Sequence, residues 1–159
     1  MHRKQLVLIW LPVALLPIAN LVSAAVTHTA PKSTIQILVF AVLEELLYRW
    51  LLLDKLLLQQ ERIKPTVSIV IAALIFAAMH LWNLRTSAVV SSILMQVVFA
   101  FCFSVWAGAV TWKKTWLIPL LAHVLLNATA GAENMWGSVI VSIMLLVDGI
   151  ALLTILRRF

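Results

Sequence analysis

The stretch VFAVLEELLYRWLLLDKLLL, residues 39–58, sets two adjacent glutamates and an arginine inside a run that is otherwise almost entirely apolar. Its length matches the ~20 residues a helix needs to cross a hydrocarbon core of about 30 Å. A carboxylate or guanidinium at that depth costs ~2.5–3.5 kcal/mol on insertion scales, so Glu44, Glu45 and Arg49 need partners or a task. Part of that need is met locally. Glu45 and Arg49 stand four residues apart, one helical turn with the acid N-terminal, and can neutralise each other. Glu44 is turned ~100° away from Glu45 around the helix and lacks that partner.

The rest of the chain shares this character. Its 159 residues are 64% hydrophobic and only 11% charged, and the mean hydropathy is +1.06, far from the balance of a soluble domain. One integral membrane domain over residues 1–159 is expected, with nothing left over for a soluble one. Apolar runs place six spans at roughly 5–26, 34–59, 66–83, 86–111, 115–131 and 135–156. Pro31, Pro65 and GAEN at 131–134 mark three of the turns, and NLRTS at 83–87 and TWKKT at 111–115 supply polar breaks for the others. No stretch alternates with a period of two, and only helices or closed barrels satisfy their backbone in lipid. The expected fold is therefore an all-α, polytopic transmembrane bundle. The first span is too long, and too poorly followed by a small-residue cleavage site, for a removable signal peptide.

Arg3, Lys4, Arg62, Lys64, Lys113, Lys114, Arg157 and Arg158 fall on one side of a six-span chain, against Lys32 and Arg85 on the other. The positive-inside rule then puts both termini in the cytoplasm. The formal net charge of +6 is explained by these loops and their contact with the anionic headgroups of the bilayer, so no nucleic-acid partner is expected. The single cysteine, Cys102, lies inside the fourth span, which rules out an intramolecular disulfide and suits a small buried hydrophobe. Trp82, Trp112, Trp116 and Trp136 fall near span ends, as interfacial anchors do. NAT at 127–129 fits the N-glycosylation pattern but sits at a span, where an acceptor loop is not found.

Two further spans carry polar groups. His80 follows Phe76 by four residues in the third, and His123 and Asn127 share one helical face of the fifth. A lone His or Asn in a bundle is usually an interhelical hydrogen-bonding residue. Together with Glu44, however, these groups can converge on the bundle interior, where intramembrane polar residues normally face. The set suits peptide-bond hydrolysis. A buried carboxylate serves as base for a water, a histidine orients that water or shares its proton, and ring N–H and amide donors stabilise the oxyanion.

EELLYR at 44–49, FAAMH at 76–80 and HVLLN at 123–127 fit the patterns E-E-x-x-x-R, F-x-x-x-H and H-x-x-x-N, in that order on successive spans. The set resembles the CPBP family of intramembrane glutamic endopeptidases, which includes the CAAX prenyl proteases and the bacterial Abi proteins. The resemblance covers about residues 34–131. It implies that Glu44 and His80 activate a water, that His123 and Asn127 stabilise the oxyanion, and that Glu45, Arg49 and Phe76 support the site. It further implies a membrane peptidase, and the expected topology suits a bacterial one acting on a membrane-associated or exported protein.

No cofactor is expected. Glu44, His80 and His123 could in principle form a His₂Glu zinc site, but H-E-x-x-H is absent and the three come from separate helices. A non-catalytic immunity or scaffold protein of the same family is the alternative. A proton-coupled transporter is disfavoured by the absence of repeated halves and paired broken helices. The short chain leaves little room for the extra segments of eukaryotic CAAX proteases, which argues against prenylated substrates. On the expected topology His80 and Asn127 lie near the outer ends of their spans, so the site opens outward.

Overall fold

A computed structural model describes residues 3–26, 35–85, 89–129 and 135–155. Pro31 and Lys32, the GAEN stretch and the arginines 157 and 158 lie outside these residues, as does the side chain of Trp136. The described residues form six helices and no strand. They are α1 (Arg3–Val26), α2 (Ile35–Glu45, continued to Leu57), α3 (Pro65–Met79), α4 (Val90–Lys113), α5 (Leu117–Thr129) and α6 (Met135–Ile155). Each falls on one of the expected spans, and the protein is a helical membrane bundle.

Two of these helices depart from uniform α geometry, both at functional candidates. Past Glu45, α2 widens into π-type turns over Leu46–Leu57, and the amide of Leu58 reaches back five residues to the Leu53 carbonyl at 2.8 Å. α3 instead tightens into a 3₁₀ turn over His80–Arg85. Such local changes of pitch re-aim side chains and concentrate at functional positions. Pro65 at the first turn of α3 suits a helix start, because the missing N–H is one the helix leaves unsatisfied anyway.

α4 is the central element, packing on α6, α3 and α5. Its residues from Cys102 to Thr111 are all buried, as befits a helix apolar on every face. Around it the usual distribution of side chains is inverted. Phe40, Trp50, Ile143 and Val147 point outward while Ala72, Ala73, Ala107 and Ala109 are fully buried. In water such an exposed apolar surface would drive aggregation; in lipid it is the solvated face. Small residues inside let helices approach closely, which is how membrane bundles gain packing energy when lipid tails remove the hydrophobic drive. The segments Pro65–Arg85 and Val90–Lys113 are each long and apolar enough to cross a bilayer, and Leu117–Thr129 and Val139–Thr154 are shorter apolar helices. Cys102 is a buried free thiol, and Lys113 lays its ammonium 3.8 Å from the centroid of the Trp112 ring.

Among the described residues, Gly149 and Gly108 mark two close helix approaches. A Cβ at Gly149 of α6 would stand 3.0 Å from the Trp106 amide nitrogen and 3.1 Å from its Cα, and one at Gly108 of α4 would stand 2.8 Å from Cγ2 of Ile69. Backbone cannot swing aside as a long side chain can, and Ile69 is β-branched and wholly buried. Gly149→Ala and Gly108→Ala are each expected to destabilise the bundle by ~1–3 kcal/mol. Thermal unfolding in detergent measures both. Adding Ile69→Ala should recover part of the Gly108→Ala loss and none of the Gly149→Ala loss.

Candidate active site

The site is assembled from α2, α3, α4 and α5. At its base Glu45 and Arg49 are both fully buried, with Oε2 of the acid 3.3 Å from Nε of the base. The i, i+4 pair read from the sequence is therefore formed. It is a charge contact without hydrogen-bond alignment, because Glu45 Oε2 and the three guanidinium nitrogens have no hydrogen-bond partner. Aromatic faces take part of that load. The guanidinium carbon lies 4.6 Å from the Phe76 ring centroid and 5.8 Å from that of Phe103. Desolvated cation–π contacts of this kind are worth ~2 kcal/mol.

The second Glu45 oxygen, Oε1, lies 3.0 Å from Nδ1 of His123 on α5. A carboxylate can only accept, so this ring nitrogen donates. The other ring nitrogen, Nε2, faces Glu44 Oε2 at 3.7 Å. One imidazole is thus held between the carboxylates of two consecutive residues. The two acids are nonetheless unlike, because the Glu44 side chain is 36% exposed and that of Glu45 is not exposed at all. Their helical rotation explains this. Glu45 faces the packed interior and Arg49, whereas Glu44 is turned toward the edge of the site.

His80 stands at the C-terminal end of α3, where its Nδ1 lies 3.0 Å from the Phe76 carbonyl. The carbonyl can only accept, so Nδ1 carries the hydrogen and Nε2 of the neutral ring is left as a base. The Phe76 ring connects the two histidines, edge-on to His80 at 5.0 Å and to His123 at 6.2 Å between centroids. Asn127 is half-buried one turn beyond His123 on α5. Glu44, Glu45, Arg49, Phe76, His80 and His123 are therefore brought together through direct contacts, whereas Asn127 is placed only by its position on α5, four residues after His123.

Two members of this assembly escaped the sequence reading. The Tyr48 ring packs edge-on against Phe76 at 5.1 Å, and Phe103 of α4 packs against His123 at 5.2 Å. Tyr48 is the only tyrosine in the chain and adjoins Arg49, a signal that could have singled it out. Phe103 stacks on Phe99, four residues earlier, but aromatic residues at that spacing are ordinary in apolar helices and carried no warning. Among the described residues no three His, Cys, Asp or Glu side chains are grouped so as to hold a metal ion.

A search of curated proteins and one of solved structures gave no match to the chain. The sequence model of the type II CAAX prenyl endopeptidase Rce1-like family matches residues 26–129, well over half of the chain. That segment contains the whole constellation from Glu44 to Asn127, and the chain belongs to the Rce1-like family of type II CAAX prenyl endopeptidases.

Proposed function

We propose that this protein is an intramembrane glutamic endopeptidase that hydrolyses a peptide bond of a membrane-associated or exported protein. The observation that carries the reading is the unequal pair of glutamates around His123. Glu45 is committed to Arg49 and to Nδ1 of the ring, while Glu44 is partly exposed and faces the other ring nitrogen.

In this mechanism Glu44 takes a proton from a water whose oxygen attacks the scissile carbonyl carbon, and the Nε2 lone pair of His80 orients that water. The carbonyl oxygen becomes an oxyanion. His123, when its second nitrogen is protonated, and the Asn127 side-chain amide donate hydrogen bonds to it, each such donor contributing ~2.7–4 kcal/mol of transition-state stabilisation. The C–N bond then breaks as Glu44 returns the proton to the leaving amine. Glu45 accepts from Nδ1 and so holds the orientation of the His123 ring, as a carboxylate behind a catalytic imidazole does. No covalent intermediate forms, and no metal takes part.

Glu44 lies nine residues, ~14 Å, from the start of α2 at 1.5 Å per residue. His80 closes α3 and Asn127 is two residues from the end of α5. The basic turns with Arg62, Lys64, Lys113 and Lys114 belong to the opposite ends of these helices. With those turns in the cytoplasm of a bacterial cell, the site opens to the outer face, which suits trimming of exported or anchored proteins.

Comparing intact and cleaved membrane proteins between cells with wild-type protein and cells with the Glu44→Ala variant tests the reading, and identical profiles would reject it. Purified protein in detergent should keep its activity after exhaustive chelation. Activity lost to a chelator and restored by zinc would instead make Glu44, His80 and His123 metal ligands.

A further inference from the structure

The family match begins at residue 26, so α1 up to Ala25 lies outside the common segment. It is nonetheless tied by hydrogen bonds to the helix that carries His123 and Asn127. The Asn20 amide donates to Oγ1 of Thr129 at 3.2 Å and to the Leu126 carbonyl at 3.4 Å. The Thr129 hydroxyl in turn approaches the carbonyls of Leu125 at 2.8 Å and Leu126 at 3.2 Å. The α5 groups among these lie within the last five residues of that helix, which ends at Thr129.

The last turn is where a helix is weakest. Its last four carbonyls have no intrahelical donor and need one from elsewhere. α5 has only 13 residues, short enough that its integrity depends on tertiary contacts. Asn127 sits inside the clamped turn, directly after Leu126 and two residues before Thr129. Fraying of the turn would release Asn127 while leaving His123, one turn earlier, anchored by Glu45.

We propose that Asn20 is a positioning residue that braces the last turn of α5 and so holds Asn127 in register with His123, making α1 a working part of the site. The proposal rests on the peptidase reading for the role of Asn127. The brace itself is independent of that reading.

Asn20→Leu keeps the approximate volume of the side chain and removes its donors. In full-length protein in detergent, hydrogen exchange over residues 125–129 should quicken by ~10-fold or more, with the rest of α5 and the thermal midpoint little changed. Activity should fall through kcat by ~10–100-fold while KM moves less than about twofold, because a displaced oxyanion donor acts on the transition state. In an Asn127→Ala background, Asn20→Leu should cause no further loss, since both remove the same contribution. Asn20→Gln, which retains the amide, should restore part of the rate. Unchanged exchange overturns the brace, and faster exchange with unchanged kcat overturns its role in positioning. A loss that adds fully to that of Asn127→Ala overturns it too, because Asn20 would then act elsewhere. Glu44→Gln assayed in parallel separates the two levels. Retained activity there removes Glu44 from the chemistry, no hydrolysis by the wild type rejects the peptidase reading, and either leaves the exchange result standing.

Discussion

Glu44→Gln should abolish peptide-bond hydrolysis while leaving the amount of folded, membrane-inserted protein unchanged. The amide matches the carboxylate in shape but cannot accept a proton from water, and positioned general bases contribute ~10²–10⁴-fold to rate. Stability should not suffer, because Glu44 is partly exposed and stands 3.7 Å from the His123 ring, beyond hydrogen-bond length. Purified wild-type and variant protein, matched by thermal midpoint and assayed on the same membrane-anchored substrate, give the comparison. Full activity in the variant would remove Glu44 from the chemistry.

Glu45→Gln should show the opposite pattern, with folded protein lost before any assay of turnover. The guanidinium of Arg49 is wholly enclosed, and Glu45 is the only acid shown to pair with it among the described residues. Taking away one partner of a buried ion pair costs ~3–5 kcal/mol, chiefly because the other charge is stranded. Nearby rings offset only part of this, since the Phe76 and Phe103 contacts with Arg49 exist in the wild type already. Combining Glu45→Gln with Arg49→Met removes the stranded charge and should recover most of the stability. The double variant should remain poorly active, because a neutral amide holds the His123 ring less firmly than a carboxylate does. Detergent-extractable yield and thermal midpoint read the first effect, and kcat of the double variant reads the second. Equal behaviour of Glu44→Gln and Glu45→Gln in both measurements would show that the adjacent acids do not divide the work in this way.

The contrast between these neighbours illustrates how much of the site was legible in the chain. One position of rotation on a helix separates a residue facing Arg49 from one that does not, and helical geometry alone yields that distinction from the spacing of Glu44, Glu45 and Arg49. The i, i+4 spacing of Phe76 and His80 likewise anticipated a shared face, and the structure adds the bond from the His80 ring to the Phe76 carbonyl. Spacing is silent, however, on partners brought from other helices. That Glu45 serves His123 as well as Arg49 joins residues 78 positions apart, and the enclosure of Arg49 by Phe103 comes from a helix with no motif of its own.

What the sequence determined by itself is the class of solvent, the number and placement of the helices, and the residues that could not face lipid unpartnered. These follow from local properties, namely the transfer cost of each side chain, the length needed to cross a bilayer and the periodicity of one helix. What only the tertiary structure decided is how those helices meet. Gly149 against the Trp106 backbone, Asn20 against the end of α5, and His123 between two acids each depend on the rotation and depth of one helix relative to another. That relative placement is set by close packing summed over many small contacts, individually ~0.1–0.2 kcal/mol, and no single residue or spacing along the chain encodes it.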